Sequence, residues 1–276
     1  MNQSTKRFSF EFFPPKTEAG KEKLEQLWQE LNRLEPAFFS VTYGAGGSTR
    51  DNTFSVVSKM KQQGVSVAPH LSFGGDTEEE ILALLHRYAE LGVDRIVALR
   101  GDIPSGFGPS KVVYASELVT FIRKHFGNRF QLEVAAYPEI HPESKSYRSD
   151  IEILKKKFDC GANSAITQYF YNADAYFYFR DACARAGINQ PIYPGLMPIT
   201  SFPNLLRFSS NCGAEIPRWM QQRFQALEGD PQAMNDFGKE VVIRLAQKLL
   251  QDGAPGIHFY TMNQLQPTLD IYHAIT

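Results

Sequence analysis

Several polar side chains of this sequence stand at the ends of short apolar segments, where they could act on a bound small molecule. Glu11 lies within FSFEFFPP, residues 8–15, and the two prolines that follow prevent this segment from continuing as a strand. A carboxyl group among aromatic rings is costly to ionise, and one that keeps its proton can act as a general acid. Glu11 is therefore a candidate general acid, unless a cation lies beside it.

The elements that would position such groups follow a regular order. Eight short apolar segments alternate with helical patterns, which is typical of βα units. The clearest helical pattern is GDTEEEILALLHRYAELG, residues 75–92: Asp76 or Thr77 can cap it, Gly92 is predicted to end it, and its apolar stripe consists of Ile81, Leu84, Leu85 and Tyr88. The predicted strands cover residues 8–13, 38–44, 65–73, 95–101, 132–139, 164–170, 191–198 and 256–263. This rhythm over 276 residues predicts an α/β fold, a (β/α)8 TIM barrel, as a single domain covering residues 1–276 with an extra helix before strand eight. Catalytic groups of such barrels lie at the C-terminal ends of the strands.

Side-chain parity along the first three strands separates inward from outward positions. Residues two apart share a face, so the aromatic residues of strand one are predicted to face the helices. Polar residues then point inward: Ser9 and Glu11 on strand one, Ser40 and Thr42 on strand two, and His70 on strand three. The pattern therefore predicts that Glu11 and His70 share one mouth of the barrel.

The next three strands are predicted to add polar groups to the same mouth. On strand four, Val97 is expected to face the helices while Arg100 and Asp102 point inward, and strands five and six contribute Tyr137 and Gln168. No comparable polar set is predicted at the strand starts. Polar groups from six strands at one end favour a ligand site over a purely structural barrel.

Composition narrows the class of ligand. The chain has 29 basic and 30 acidic residues without a long run of like charge, which disfavours nucleic-acid and membrane-surface binding and favours a small molecule. Its three cysteines are widely spaced and form no CxxC pattern, so neither a disulfide framework nor a metal site is expected. Neither an export signal nor a membrane span is predicted, and the expected location is the cytoplasm.

Other motifs give weaker signals. The segment YGAGGSTRDNT, residues 43–53, could cradle a phosphate but does not match the G-x-G-x-x-G fingerprint. The segment HPESK at 141–145 lacks metal-ligand spacing, and Ser201 and Ser209 have no nucleophile-elbow context. The lysines at 155–157 are most simply a solvated helix face, with phosphate binding as the minority interpretation.

Seven motifs taken together resemble one family, the short bacterial methylenetetrahydrofolate reductases. They are FEFFPPK, SVTYGAGGSTRD, APHL, ALRGD, AAYPEIHPE, DCGANSAITQYF and HFYTMN, and the resemblance runs from about residue 8 to 263. It implies a barrel that holds FAD non-covalently. It also implies hydride transfer from NADH or NADPH, in ping-pong order, to 5,10-methylenetetrahydrofolate, which yields 5-methyltetrahydrofolate. Relatives suggest a homo-oligomer, either a dimer or a tetramer.

The resemblance also implies roles for individual residues. Glu11 would be the general acid that helps open the imidazolidine ring of the folate, and Asp102 would tune the flavin and orient the folate. Substrate-binding positions would be Glu11, Gln168, Asn204, Phe208 and Gln264. FAD-binding positions would be Thr42, Tyr43, Ala45, His70, Arg100, Gly101, Asp102, Tyr114, Ala115, Tyr137, His141, Asp150, Lys156 and Lys157. Gln264 stands where the HFYTLNR variant of the last motif has arginine, and Asn204 stands where a relative can have glutamine.

Two other functions compete with this interpretation. One is a flavin-free pterin-binding barrel such as a folate methyltransferase, which would be colourless and would not respond to added FAD. The other is a folate-binding subunit that needs a partner to reduce its flavin. Mixing the isolated protein anaerobically with NADH or NADPH distinguishes the second from a complete reductase, because only the latter bleaches.

Overall fold

The structure of the protein is a computed structural model, and it describes residues 6–43, 47–73, 76–100 and 114–276. Within these ranges the strands are β1 (Arg7–Phe12), β2 (Phe38–Val41), β3 (Val67–Leu71), β4 (Arg95–Ala98), β5 (Gln131–Ala136), β6 (Ser164–Thr167), β7 (Ile192–Tyr193), β8 (Gly195–Leu196) and β9 (Gly256–Tyr260). The helices there are α1 (Glu18–Asn32), α2 (Gly47–Gln62), α3 (Glu78–Glu90), α4 (Ala115–Phe126), α5 (Tyr147–Asp159), α6 (Ala173–Arg185), α7 (Phe202–Cys212), α8 (Arg218–Ala226), α9 (Pro231–Gln251) and α10 (Leu265–Ile275).

The described strands belong to one sheet in the order β7-β6-β5-β4-β3-β2-β1-β9-β8. The pairs β1–β2, β2–β3, β3–β4, β4–β5 and β8–β9 are parallel. Strands β7 and β8, at opposite ends of this order, are separated in the chain only by Pro194, so together they correspond to the predicted strand seven. A sheet whose two ends belong to one segment has the connectivity of a barrel, and the predicted α/β TIM-barrel class is confirmed.

Contacts within the chain group it into two compact units. The first unit consists of Ser9–Ala135 and Lys156–Ala165, and the second consists of residues 6–8, Ala136–Lys155 and Ile166–Thr276. The assignment of residues 1–276 to a single domain stays a prediction. Among the described residues, no helix is both long and apolar enough to cross a bilayer.

Aromatic packing in the first unit fixes the faces of β1 and β2. Phe10, Phe12 and Phe39 are fully buried, and the Phe39 ring centroid lies 5.9 Å from that of Phe10 and 5.2 Å from that of Phe12. Burial of each such side chain contributes about 1.5–3 kcal/mol. These rings hold one face of the two strands, so Glu11, at the alternate position, is left on the other face.

Helix α3 illustrates how local sequence sets the element boundaries. Asp76 and Thr77 both qualify as its cap by sequence, and the structure selects Thr77, which forms a reciprocal capping box with Glu80. The predicted apolar stripe is buried and consists of Ile81, Leu84, Leu85 and Tyr88. The predicted stop is also confirmed, because Gly92 adopts φ +75°, which a side chain would strain.

In the second unit, the predicted extra helix before the last strand is confirmed as α8. Helix α7, which precedes it, was not predicted, although its signals are present. Ser201 accepts a hydrogen bond from the Asn204 backbone N–H at its start, and Gly213 ends it in the left-handed conformation. Helix α7 carries Asn204 and Phe208, two of the predicted substrate-binding residues.

A buried charge cluster occupies the first halves of β4, β5 and β6 in the first unit, where the sequence predicted no polar set. The guanidinium group of Arg95 pairs with the fully buried carboxylate of Glu133, which also accepts a hydrogen bond from Ser164. Paired residues of parallel strands share a face, and Val97 pairs with both His70 and Glu133. The prediction that Val97 faces the helices was therefore wrong. Strand β4 ends at Ala98, so strand parity does not extend to Arg100.

Candidate active site

The first cluster of candidate groups surrounds the carboxyl group of Glu11 on β1. Glu11 is the register partner of Ser40 on β2, and the fully buried Ser40 hydroxyl donates to Glu11 Oε2 over 3.3 Å. On β3, His70 Nε2 lies 3.1 Å from the same oxygen. The side chains of Glu11 and His70 are only 17% and 9% exposed. The predicted shared face of Glu11, Ser40 and His70 is therefore confirmed.

The contact between Glu11 and His70 is close but is not a well-aligned hydrogen bond. His70 Nε2 is buried and has no hydrogen-bond partner among the described residues, in spite of its short distance from Glu11. A carboxyl oxygen beside a hydroxyl donor and an imidazole nitrogen is suited to holding a proton and passing it on. The imidazole nitrogen can in addition meet a polar atom of a ligand, which would satisfy it.

Tyr43 follows β2 and is held by a residue that the sequence analysis considered only as a helix cap. Its hydroxyl donates to Asp76 Oδ2 over 2.7 Å, and Asp76 Oδ1 pairs with Arg50 Nη1 at 3.2 Å. Burial, followed by this hydrogen bond to Asp76, raises the pKa of Tyr43 well above its ordinary value. Tyr43 therefore stays protonated at neutral pH. Neighbouring Thr42 accepts a hydrogen bond at its carbonyl from the buried hydroxyl of Thr53.

A second cluster, in the second unit, joins three of the predicted cofactor residues. Asp150 is buried and accepts hydrogen bonds from the His141 backbone N–H and from the Ser144 hydroxyl, at 3.2 and 2.8 Å. The rings of Tyr137 and His141 meet edge to face with centroids 4.5 Å apart. Between them Ile140 has φ +69°, which is unfavourable for a β-branched residue. Local strain of this kind is frequent at ligand sites, because surrounding contacts must hold it.

The orientation of His141 follows from its own loop. Its Nδ1 accepts a hydrogen bond from the Glu143 backbone N–H at 3.0 Å. The neutral ring must then carry its proton on Nε2, so this atom is a donor. The HPESK segment thus orients an imidazole. Among the described residues, no group of three or more His, Cys, Asp or Glu side chains could hold a metal ion.

Tyr169 in the second unit contacts Gln168, which is predicted to bind substrate, and the helix α7 that carries Phe208. The Tyr169 backbone N–H donates to Gln168 Oε1 over 3.0 Å, which engages the acceptor end of the amide. The Tyr169 hydroxyl lies 3.0 Å from Ser209 Oγ on α7, next to Phe208, and 3.4 Å from Cys212 Sγ. Burial raises the pKa of Tyr169 above its ordinary value, so this hydroxyl keeps its proton. Tyr169 was not among the residues predicted from the sequence to be functional.

The end of β9 has unusual backbone geometry. Met262 and Asn263, in the HFYTMN motif, have φ values of +54° and +53°. Asparagine tolerates this region, but methionine seldom adopts it. Just before them, Tyr260 donates to the Thr167 carbonyl over 2.7 Å, and a Cβ atom on Gly195 would overlap both groups. Only glycine therefore fits at position 195.

The remaining predicted residues lie on helices and at the ends of strands, helices and loops. Lys157 donates to the Ala135 carbonyl over 2.8 Å, whereas Lys156 is exposed. Tyr114 is 53% exposed at the N-cap of α4, whose first residue is the buried Ala115. The half-buried or exposed positions at loop and helix ends are Arg100, Asn204 and Gln264. Predicted residues outside the described ranges are Ala45, Gly101 and Asp102.

Comparison with known proteins gives a consistent result. The family model described as methylenetetrahydrofolate reductase matches residues 1–276. The 5,10-methylenetetrahydrofolate reductase of Escherichia coli (strain K12) is 40% identical over 271 residues, which cover 97% of this chain and 90% of that protein. The protein of the same name from Buchnera aphidicola subsp. Schizaphis graminum is 43% identical over 266 residues, covering 96% of this chain and 90% of that one.

A solved structure with a similar fold is an uncharacterized protein from Clostridium thermocellum that binds two copies of 5-methyl-5,6,7,8-tetrahydrofolic acid. Its TM-score is 0.70 at 19% identity, over 99% of this chain and 96% of that one. At this identity the likeness shows the fold alone.

Proposed function

The chain belongs to the methylenetetrahydrofolate reductase family, and from this premise we propose how it works as an oxidoreductase. It passes hydride from NADH or NADPH, through non-covalently bound FAD, to 5,10-methylenetetrahydrofolate and forms 5-methyltetrahydrofolate. The two half-reactions follow one another in ping-pong order. The observation that carries the proposal is the carboxyl group of Glu11, which is held at the end of β1 between Ser40 and His70.

FAD would supply the hydride carrier, because no amino-acid side chain can perform that role. The residues present fit this group. His70 Nε2 is buried without a hydrogen-bond partner among the described residues, and a polar atom of the cofactor would form a hydrogen bond with it. His141, whose Nδ1 accepts a hydrogen bond from its own loop, is a further proposed binding residue. The proposed binding residues are Thr42, Tyr43, Ala45, His70, Arg100, Gly101, Asp102, Tyr114, Ala115, Tyr137, His141, Asp150, Lys156 and Lys157.

Glu11 is the proposed general acid of the folate half-reaction. Its carboxyl proton passes to the ring nitrogen of the imidazolidine as the bond from that nitrogen to the methylene carbon breaks. The electron pair of this bond stays on the nitrogen and accepts the proton, so the methylene carbon becomes an electrophilic iminium that receives the hydride. Reduction of the flavin by the nicotinamide does not require this proton, so the role of Glu11 is confined to the second half-reaction.

The remaining roles concern binding. We assign Gln168 to the pterin and Phe208 to packing against the bound folate or nicotinamide, with Asn204 and Gln264 as further substrate contacts. The engagement of Gln168 Oε1 by the Tyr169 N–H supports a donor role for the Gln168 amide nitrogen. A cytoplasmic location and a homo-oligomeric state, either a dimer or a tetramer, stay predictions.

The test separates the half-reactions by stopped-flow flavin spectroscopy of the FAD-loaded protein. Wild-type protein is expected to bleach with NADH or NADPH and to regain its oxidised spectrum with methylenetetrahydrofolate. The Glu11→Gln variant is expected to bleach at the wild-type rate but to lose reoxidation by the folate at least about 100-fold. Glu18→Gln is the matched control, because the Glu18 side chain is 84% exposed and pairs with Lys21 at the surface.

Two results would refute the proposal in different ways. Normal folate reduction by Glu11→Gln would exclude Glu11 as the acid while leaving the reductase activity in place. Wild-type protein that stays colourless with added FAD, or that does not bleach with either nicotinamide, would contradict the proposed activity itself.

A further inference from the structure

The oxygen of Glu11 that meets His70 also receives a hydrogen bond from a residue to which no role has been assigned. Ser40 is fully buried in the middle of the sheet, and its hydroxyl donates to Glu11 Oε2 over 3.3 Å. The two residues are direct register partners on β1 and β2, so the backbone pairing itself sets their approach. A polar side chain that is fully buried in a strand usually has a hydrogen-bond partner, and for Ser40 that partner is Glu11.

We propose that Ser40 is a positioning residue that fixes the orientation of the Glu11 carboxyl group and makes it a stronger acid. The proposal rests on the proposed function, since it assumes that Glu11 donates the proton. Ser40 does not touch the reacting atoms; it acts through Glu11. Two groups that approach Glu11 Oε2 from neighbouring strands are the Ser40 hydroxyl from β2 and the His70 imidazole from β3.

The direction of the effect follows from hydrogen-bond strength. A hydroxyl that donates to an ionised carboxylate forms a stronger bond than one beside a neutral carboxyl group, so Ser40 favours the state of Glu11 that has released its proton. Removing the hydroxyl makes the proton harder to release. In Ser40→Ala, the midpoint pH above which Glu11 is deprotonated and the folate half-reaction slows is then expected to rise by about one pH unit, a tenfold change in proton affinity.

This shift predicts pH profiles that cross. Above the midpoint more Glu11 is protonated in Ser40→Ala, which raises the rate, but each protonated group is a weaker acid. With a Brønsted coefficient of about one half, the folate step of Ser40→Ala is expected to be about threefold slower than wild type on the acidic plateau and about threefold faster at alkaline pH. A role limited to stability would lower the rate in the same direction at every pH.

The chain offers a matched control in Ser164. This serine is also buried and also donates to a buried glutamate, Glu133, within the same unit. Ser164→Ala should therefore lose comparable stability, but its partner belongs to the charge cluster with Arg95 and not to the proposed acid. It is expected to leave the pH profile of the folate half-reaction in place. Ser40→Thr keeps a hydroxyl at the critical position and should restore the wild-type midpoint.

The experiment has a kinetic and a spectroscopic part. Stopped-flow reoxidation of the reduced, FAD-loaded protein by methylenetetrahydrofolate is measured from acidic to alkaline pH for wild type, Ser40→Ala, Ser40→Thr and Ser164→Ala. Infrared titration of the Glu11 carboxyl group is measured in FAD-free protein, with Glu11→Gln as the reference that removes its band. A crossing profile with an upward shift of the carboxyl midpoint in Ser40→Ala alone is the expected result.

The inference is overturned if Ser40→Ala keeps the wild-type carboxyl midpoint, or if its folate step slows uniformly with pH as a structural defect would require. Failure of the proposed function has a different signature, because wild-type protein would then not reduce the folate at all. In that case the infrared titration would still report whether Ser40 controls the ionisation of Glu11. Should Ser40→Ala fold poorly, the midpoint of Ser40→Thr decides, since a shifted midpoint with the hydroxyl present contradicts the proposal.

Discussion

The charge cluster of Arg95, Glu133 and Ser164 gives a stringent test of the described fold. Glu133 is fully buried, and the Arg95 side chain is only 17% exposed, with its guanidinium carbon also 4.8 Å from the Phe38 ring centroid. Replacing Arg95 with methionine preserves much of the apolar stem but removes the cation that pairs with Glu133. A buried carboxylate without its cation is unfavourable, and the folded state should lose stability.

The expected loss can be bounded. Removing one partner of a buried ion pair lowers the free energy of unfolding by about 3–5 kcal/mol, and the lower value applies here because Ser164 still donates to Glu133 and Arg95 is partly solvated. A loss of about 3 kcal/mol is a large share of a total stability of about 5–15 kcal/mol. Replacing both charged residues, as in Arg95→Met with Glu133→Leu, is expected to recover at least half of the loss.

Urea unfolding followed by circular dichroism measures these differences. Arg148→Met is the control, because Arg148 and Glu152 form a surface pair whose side chains are 90% and 62% exposed, and its change should stay within about 0.5 kcal/mol. Without Arg95, Glu133 can become neutral by taking up a proton, which removes the cost of a buried, unpaired charge. The loss of unfolding free energy in Arg95→Met should therefore be smaller at acidic than at alkaline pH. A deficit below about 1 kcal/mol, or one equal to that of Arg148→Met, would refute the assignment of a buried charge pair.

Two further predictions concern the second unit. Tyr169→Phe removes the hydroxyl that joins the end of β6 to Ser209 on α7. Loss of this hydrogen bond, about 1 kcal/mol, should weaken folate binding about fivefold, as measured by titration of the oxidised holoenzyme. Unchanged affinity would show that this link does not position the substrate residues. Burial raises the pKa of the Cys183 thiol to about 12, so very little thiolate exists at pH 8. A thiol reagent should therefore label the half-exposed Cys160 first and Cys183 only on unfolding, and mass spectrometry of labelled peptides measures this order. Rapid labelling of Cys183 in the folded protein would contradict the prediction.

Strand parity was a sound guide where strands are regular. On β1 to β3 the two-residue period placed Glu11, Ser40 and His70 on one face, and their contacts agree with that assignment. The same rule failed on β4 because the inward face was assigned from Arg100, which lies beyond the last strand residue, Ala98. Apolar residues continue past the end of a strand when loops are also buried, so an apolar run overestimates strand length.

Contacts between residues distant in sequence were the main omission. Asp76 was interpreted as a possible helix cap, but it binds Tyr43 and Arg50, and nothing in its local sequence specifies those partners. The pairing of Arg95 with Glu133 likewise depends on the register of β4 against β5. Helix α7 is a different case, because its cap at Ser201 and its stop at Gly213 are visible in the sequence.

The sequence by itself determined the βα rhythm, the aromatic face of β1 and the position of Glu11 at a strand end, because these depend on residue periodicity and on the prolines that follow. The tertiary structure decided which groups meet: the hydroxyl of Ser40 and the imidazole of His70 at a single carboxyl oxygen, and the buried ion pair of Glu133. Such meetings depend on strand register and side-chain rotamers, which bring together atoms from separate segments and which no local pattern encodes.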